Sequence, residues 1–187
     1  MATIEPKLPT LSIIGPTKAG KTTLRSRLAF EFSPNTRTQR VSALVVSLQV
    51  SPPKYLAIID GGGEVYAQQF KLAEICDRLC IVLDHNSSDS DPQIDQSRLA
   101  DQAKFLAQIR HHLDEYKAGP KQWVHLLMNK RDLWEALDSS QSDILDRFCH
   151  EEAEKWRHAK HAETIEARRH SNNKPDDIAG FVAMLKK

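Results

Sequence analysis

The chain contains the sequence Gly15-Pro16-Thr17-Lys18-Ala19-Gly20-Lys21-Thr22, which matches the pattern G-x-x-x-x-G-K-S/T. A short apolar run at 11–14 precedes it, and apolar residues at helical spacing follow it from 21 to 32. The glycines let the backbone wrap closely enough to point successive N–H groups at phosphate oxygens. The following helix adds the positive end of its dipole. The segment therefore predicts a loop that binds the phosphates of a nucleoside triphosphate.

Each position of this loop has an expected task. The Lys21 ammonium is expected to neutralise the β- and γ-phosphates, and the Thr22 hydroxyl is expected to bind Mg²⁺. The nucleotide contacts predicted for this part of the chain are those of Gly15, Thr17, Lys18, Ala19, Gly20, Lys21, Thr22 and Thr23. The pattern alone indicates a nucleoside triphosphate and does not say which one.

A second short pattern, Asp60-Gly61-Gly62-Gly63, ends the apolar run at 55–59. A carboxylate at this place can hold Mg²⁺, often through water, and Gly63 would place a bare backbone N–H at the γ-phosphate. The pattern D-x-x-G is common, and an ordinary type I turn explains it nearly as well.

A third pattern, Asn129-Lys130-Arg131-Asp132, directly follows the apolar run at 123–128. An Asp here can accept two hydrogen bonds from the N1–H and 2-amino groups of guanine. Adenine lacks that pair of donors and would leave the carboxylate buried and unpaired, at a cost of several kcal/mol. We expect the Lys130 stem to lie over the base and Asn129 to tie this loop to the phosphate loop.

Apolar runs of strand length alternate with amphipathic helical stretches along the whole chain. The predicted strands are 11–14, 41–50, 55–59, 79–83 and 123–128, and the predicted helices are 21–32, 99–113, 140–156 and 175–185. Continuous apolar strands separated by helices imply a mainly parallel sheet that is covered on both faces, an α/β fold. The polar segments 33–40 and 85–96 are predicted as loops, the second as a solvated connection.

Together the three patterns, in this order and each at the carboxyl end of an apolar run, resemble the small GTPase (Ras-like) family. The resemblance covers nearly the whole chain and implies a single P-loop domain over 1–187, with a six-stranded sheet and about five helices. It also implies binding of GTP and GDP with Mg²⁺, hydrolysis of GTP to GDP, and switching through the loops at 33–42 and 60–72. Effectors, an activating protein and an exchange factor are the implied partners.

Two elements that the family implies have weaker matches here. The threonine that the first switch loop normally supplies to Mg²⁺ is either Thr36 or Thr38, and the distance from Asp60 favours Thr38. The loop whose backbone touches the guanine O6 is expected within 164–168, with Ala167 as the contact residue.

Two residues depart from the family pattern. Glu64 stands where many small GTPases have the Gln that orients the attacking water. A carboxylate there would repel the γ-phosphate, so we expect slow hydrolysis without a partner, unless Glu64 simply faces solvent on a first helical turn. Lys18 stands where some related GTPases have an Asn that holds K⁺. Its ammonium would place a positive charge near the phosphates, or it is an ordinary solvated lysine. The predicted catalytic residues are thus Lys21, Glu64 and Lys18.

The composition of the chain argues against several other classes of protein. The 187 residues are 27% charged, and 26 Lys and Arg balance 25 Asp and Glu, which does not favour a nucleic-acid-binding protein. No apolar run approaches the ~20 residues that cross a bilayer, and neither terminus carries a lipidation motif. Three cysteines are too few for a disulfide framework. We therefore expect a cytoplasmic domain that reaches membranes only through a partner. The alternatives are a GTP-binding scaffold with negligible turnover and a P-loop kinase or ATPase.

Overall fold

Strands and helices alternate along the chain in this computed structural model, which describes residues 8–28, 42–47, 55–61 and 65–186. The elements are β1 (Thr10–Ile14), α1 (Lys21–Leu28), β2 (Ser42–Ser47), β3 (Tyr55–Asp60), α2 (Tyr66–Ile75), β4 (Arg78–Asp84), α3 (Gln96–Glu115), β5 (Lys121–Asn129), α4 (Arg131–Trp134), α5 (Ser139–Ala159), β6 (Ala162–Arg169) and α6 (Pro175–Leu185).

The strands form one sheet of six, in the order β2-β3-β1-β4-β5-β6. β2 pairs antiparallel with β3, and all other neighbours are parallel. The predicted mostly parallel six-stranded sheet is confirmed. Because β1, β3, β4 and β5 run the same way, their carboxyl ends meet at one edge of the sheet. This edge is where open α/β sheets bind ligands.

Helices cover both faces of the sheet, as the apolar runs predicted. On one face, buried side chains of α1 and α6, such as Leu24 and Phe181, pack against Leu11 and Leu56. On the other face, α2, α3 and α5 contribute a larger cluster that includes the fully buried Trp156. Strands buried on both faces need apolar side chains at every position, which is why they appear in the sequence as continuous apolar runs. Among the described helices, none is both long and apolar enough to cross a bilayer.

The position of the sixth strand, β6, was not predicted from the sequence pattern, and a loop was expected at 164–168 instead. That expectation is wrong, because these residues pair with β5 in parallel register. Only Ile165 is buried in β6, and its charged side chains form surface pairs such as Arg168 with Glu166. A solvated edge strand needs no apolar run, so hydrophobic patterning alone does not reveal it.

The long helix α5 begins one residue earlier than its expected start. Asp138 is the N-cap, and its side chain accepts a hydrogen bond from the Gln141 backbone N–H at 2.9 Å. Ser140 therefore lies within the first turn, and the acidic cap two residues upstream satisfies the first backbone N–H groups.

His125 is a titratable side chain buried in the middle of β5. Its ring lies edge-on to Trp123 at 4.5 Å between centroids, and Nδ1 is 3.9 Å from the nearest Glu166 carboxylate oxygen. Burial lowers the pKa of His125 from 6.5 to about 4, although the Glu166 charge acts in the opposite direction. The folded protein therefore keeps this ring neutral at pH values where the unfolded chain protonates it.

We predict that acid destabilises the protein partly through His125. The stability that the neutral His125 ring contributes is complete above pH 6.5 and is lost as the pH falls. By pH 4 the loss amounts to about 3 kcal/mol of unfolding free energy. Urea unfolding between pH 7 and pH 4.5 measures this loss. His125→Phe, which cannot titrate, should make stability less dependent on pH, whereas His158→Gln at an exposed position should not. An unchanged pH dependence in His125→Phe would contradict the assignment.

Candidate functional site

The loop after β1 turns against the backbone of β4, and only glycine fits at its first position. Gly15 has φ of 146°, and a Cβ there would lie 2.1 Å from the Val82 carbonyl oxygen. The Gly15 N–H donates to Oε1 of the buried Gln69 at 2.7 Å. The first glycine of the pattern is therefore required by close packing of the loop against the sheet, before any ligand is considered.

The second glycine leaves room for two side-chain amides. Gly20 has φ of 100°, and a Cβ there would lie 2.3 Å from Nδ2 of Asn129 and 2.7 Å from Nδ2 of Asn172. Both amides come from loops at the carboxyl ends of β5 and β6. Gly20 thus allows the phosphate loop and the loops of the neighbouring strands to approach within hydrogen-bonding distance.

Lys21 lies under the phosphate loop and is only 6% exposed. Its ammonium donates to the Pro16 carbonyl oxygen at 2.8 Å. Burial lowers its pKa to about 8, with Arg98 adding to this effect and Asp60 opposing it. A buried cation with a lowered pKa is stabilised by any anion placed beside it, so this group is suited to bind phosphate oxygens.

Asp60 and Thr22 lie together at the carboxyl end of β3. The Thr22 hydroxyl donates to Oδ2 of Asp60 at 3.2 Å, and burial of the Asp60 side chain raises its pKa. The other carboxylate oxygen, Oδ1, has no hydrogen-bond partner among the described residues. A hydroxyl and a buried carboxylate with an unsatisfied oxygen are ligands that Mg²⁺ prefers, so these residues fit that ion.

Asn129 lies at the end of β5, and its side chain joins the phosphate loop to the loop after β6. Its Nδ2 donates to the Ala19 carbonyl oxygen at 2.8 Å, and its Oδ1 accepts from the Asn172 backbone N–H at 3.1 Å. Asn172 in turn donates from Nδ2 to the Gly20 carbonyl oxygen at 2.9 Å. The two amides hold the phosphate loop, the residues after β5 and the residues after β6 in one arrangement.

Asp132 presents its carboxylate beside the loop that follows β6. Ser171 Oγ donates to Oδ1, and Asn173 Nδ2 donates to Oδ2 at 3.0 Å. Burial alone would raise the pKa of Asp132, but the hydrogen bonds from Asn173 and Ser171 outweigh it and lower the pKa. The group is therefore an ionised acceptor, and each oxygen keeps further lone pairs for a ligand.

The Asn129, Asn172 and Asp132 side chains line a pocket of about 400 Å³ beside Gly20. Five of the predicted nucleotide-binding residues line it: Gly20, Thr23, Asn129, Lys130 and Asp132. Five others that were not predicted also line it: Arg27, Asp89, Leu133, Asn172 and Asn173. The volume lies at the lower end of the range typical of small-molecule sites.

Lys130 connects this pocket to the loop at 85–95. It is 8% exposed, and its ammonium donates to the carbonyl oxygens of Asn86 at 3.0 Å and Ser88 at 2.8 Å. It also forms an ion pair of 3.1 Å with the exposed Asp89. The segment expected as a solvated connection is thus also a wall of the pocket. Its Asn, Ser and Asp residues are typical of any turn, so the sequence carried no sign of this contact.

Ala167 does not lie with the other predicted site residues. It is within β6, opposite Leu126 of β5, and lines a separate cavity of about 210 Å³ between α5 and β6. The expectation of a loop at Ala167 is wrong, because β6 continues to Arg169 and a loop follows only after it. The turn-forming sequence Ser171-Asn172-Asn173 just before the helix start at Pro175 is the feature that would have located this loop.

The remaining predicted residues divide into two groups. Lys18 is exposed and has φ of 64°, in the region that favours glycine, so its side chain projects from the outer bend of the phosphate loop. Thr36, Thr38, Gly63 and Glu64 lie outside the described residues.

No protein-family model matches the sequence, and no curated protein matches it either. Solved structures do match. Roco2 RocCORdC from Methanosarcina barkeri, bound to GDP, matches with a TM-score of 0.58 and 18% identity, over 99% of this chain and 51% of that chain. Bacterial selenocysteine-specific elongation factor EF-Sec matches with a TM-score of 0.65 and 15% identity, over 96% of this chain and 28% of that chain.

The chain thus spans about half of the first structure and just over a quarter of the second. At these identities the likeness concerns the fold. Together with the strand order and the phosphate loop, it shows that the chain has a small GTPase-like fold of the P-loop class.

Proposed function

We propose that this chain binds GTP and GDP and, with Mg²⁺, hydrolyses GTP to GDP and phosphate as a molecular switch. The observation that carries the proposal is the side chain of Asn129, which joins the phosphate loop to the pocket containing the Asp132 carboxylate. One molecule that spans both places needs an anionic end and a group with hydrogen-bond donors. The match to a GDP-bound structure supports the same ligand class.

Guanine fits the acceptor that Asp132 provides. The ionised carboxylate has two oxygens, and the N1–H and 2-amino groups of guanine are two adjacent donors. The apolar stem of Lys130 is available as a surface for the base, because its ammonium is held by the loop at 85–95. Adenine offers an acceptor at N1, which would face the carboxylate without a proton between them.

The phosphates belong at the other end of the site. Lys21 supplies a buried positive charge there, and backbone N–H groups within 17–22 supply neutral donors. Thr22 and Asp60 would hold Mg²⁺, which neutralises charge on the phosphates when bound. Glu64 is the candidate for acting on the attacking water, and Lys18 is the candidate for stabilising the negative charge on the phosphates.

Switching would depend on the segments at 33–42 and 60–72, the second of which includes the start of α2 (Tyr66–Ile75). Thr38, or else Thr36, would reach Mg²⁺ only when the γ-phosphate is present, and Gly63 would donate to that phosphate. Loss of the phosphate would release both loops. Proteins that recognise the ordered loops, or that speed hydrolysis and nucleotide exchange, are the proposed partners.

A nucleotide-binding scaffold with negligible turnover is the second candidate, and Glu64 is the residue that favours it. A carboxylate in place of the usual Gln neither orients the attacking water in the same way nor tolerates a nearby γ-phosphate. Both functions share the guanine site and differ only in the rate of hydrolysis.

We predict that Asp132→Asn exchanges guanine for xanthine recognition. Xanthine presents a carbonyl where guanine has its 2-amino group, and the Asn amide donates to that carbonyl. GDP affinity should fall about 100-fold while xanthosine diphosphate binds more tightly, as measured by calorimetry. Asp89→Asn, which removes a carboxylate from the same pocket, should still prefer GDP. If Asp132→Asn also keeps that preference, the base assignment is wrong.

We also predict that nucleotide binding takes up protons near pH 8. Free Lys21 has a pKa of about 8, and a bound phosphate raises it, so about half a proton should enter per GDP at pH 8. Affinity for GDP then falls as the pH rises through 8. Calorimetry in buffers of different ionisation enthalpy measures the uptake, and guanosine, which lacks phosphates, is the control. GDP binding without proton uptake at pH 8 would contradict the role of Lys21.

Glu64→Gln should accelerate hydrolysis roughly tenfold, because the amide orients water and removes a negative charge from the γ-phosphate. Single-turnover phosphate release with GTP and Mg²⁺ measures the rate. Glu115→Gln, at the end of α3, serves as the control for loss of a surface carboxylate. An unchanged rate in Glu64→Gln would remove this residue from the mechanism and leave the fold assignment intact.

A further inference from the structure

A buried ion cluster lies between the two halves of the site. Asp84, at the carboxyl end of β4, is fully buried. Arg98 of α3 donates to it from Nε at 2.8 Å and from Nη2 at 3.2 Å, and the Lys130 ammonium lies 3.3 Å from the same carboxylate. Gln102 fixes the position of this residue by bonding both its backbone N–H and its carbonyl oxygen.

Arg98 also reaches the phosphate loop. Its Nη2 donates to the Thr17 carbonyl oxygen at 2.7 Å, immediately before the bend at Lys18. Two cations therefore share the Asp84 carboxylate. Arg98 contacts the phosphate loop, and Lys130 lines the base pocket. A guanidinium suits this place because its planar fork donates to two acceptors at once, which an ammonium on a flexible stem does less well.

We infer that Arg98 is a positioning residue for the phosphate half of the site, acting through the Thr17 carbonyl and held in place by Asp84. This inference rests on the proposed function. A loop already held in its binding conformation does not have to be ordered when the ligand arrives, so its affinity for phosphates is higher. Among the described residues, Arg98 reaches the base pocket only through Asp84 and Lys130, so its removal should affect the phosphates far more than the base.

The test compares Arg98→Met with Arg110→Met. Arg110 lies on the same helix, is 13% exposed against 16% for Arg98, and forms a similar ion pair of 2.9 Å with the buried Glu152, away from the site. Calorimetry with GDP and with guanosine separates the phosphates from the base. We expect Arg98→Met to weaken GDP about tenfold and guanosine less than twofold. Arg110→Met should leave the ratio of the two affinities unchanged.

Arg98→Lys keeps the charge and removes the planar fork, and it covers the case in which Arg98→Met is too unstable to measure. Its GDP affinity should remain low although the charge is kept, and its guanosine affinity should stay close to that of the wild type. Equal losses of GDP and guanosine affinity in Arg98→Met, or a wild-type GDP affinity in Arg98→Lys, would overturn the inference. A wild-type protein that binds no GDP would instead overturn the proposed function.

Discussion

The close approach of three loops at the carboxyl edge of the sheet depends on the side chain of Asn129. Its amide bonds the Ala19 carbonyl and the Asn172 N–H, and it has room only because Gly20 has no side chain. Any larger residue at position 20 would displace both amides. The relative position of the phosphate loop and the base pocket is therefore set by backbone geometry and two hydrogen bonds, before a ligand binds.

The sequence predicted those parts of the molecule in which local pattern and position agree. Strands buried on both faces require apolar runs, and the phosphate loop requires glycine at positions 15 and 20, where a Cβ would clash, so both are visible in the chain itself. Asp60 and Asn129 were predicted because each immediately follows an apolar run, and parallel strands bring such residues to one edge. The mostly parallel sheet, the two helical layers and the gathering of these residues follow from that reasoning.

The features that the sequence did not predict depend on contacts between residues far apart in the chain. β6 is an edge strand whose charged side chains are satisfied by solvent and surface pairs, and nothing in Ala162–Arg169 distinguishes it from a loop. Because that strand was not recognised, a loop was expected at Ala167, although β6 continues to Arg169. Arg98 and Asp89 belong to a helix and a polar turn of ordinary composition, and their roles come only from what the fold places beside them.

The central claim is that one pocket selects guanine through a carboxylate while the adjoining loop binds the phosphates. Parallel calorimetric titrations of the unaltered protein with GDP and with ADP, in the presence of Mg²⁺, test it most directly, because the two ligands differ only in the base. We expect GDP to bind at least about 100-fold more tightly than ADP, because ADP cannot form the two hydrogen bonds to the Asp132 carboxylate. Equal affinity for the two nucleotides, tighter binding of ADP, or no binding of either would contradict it.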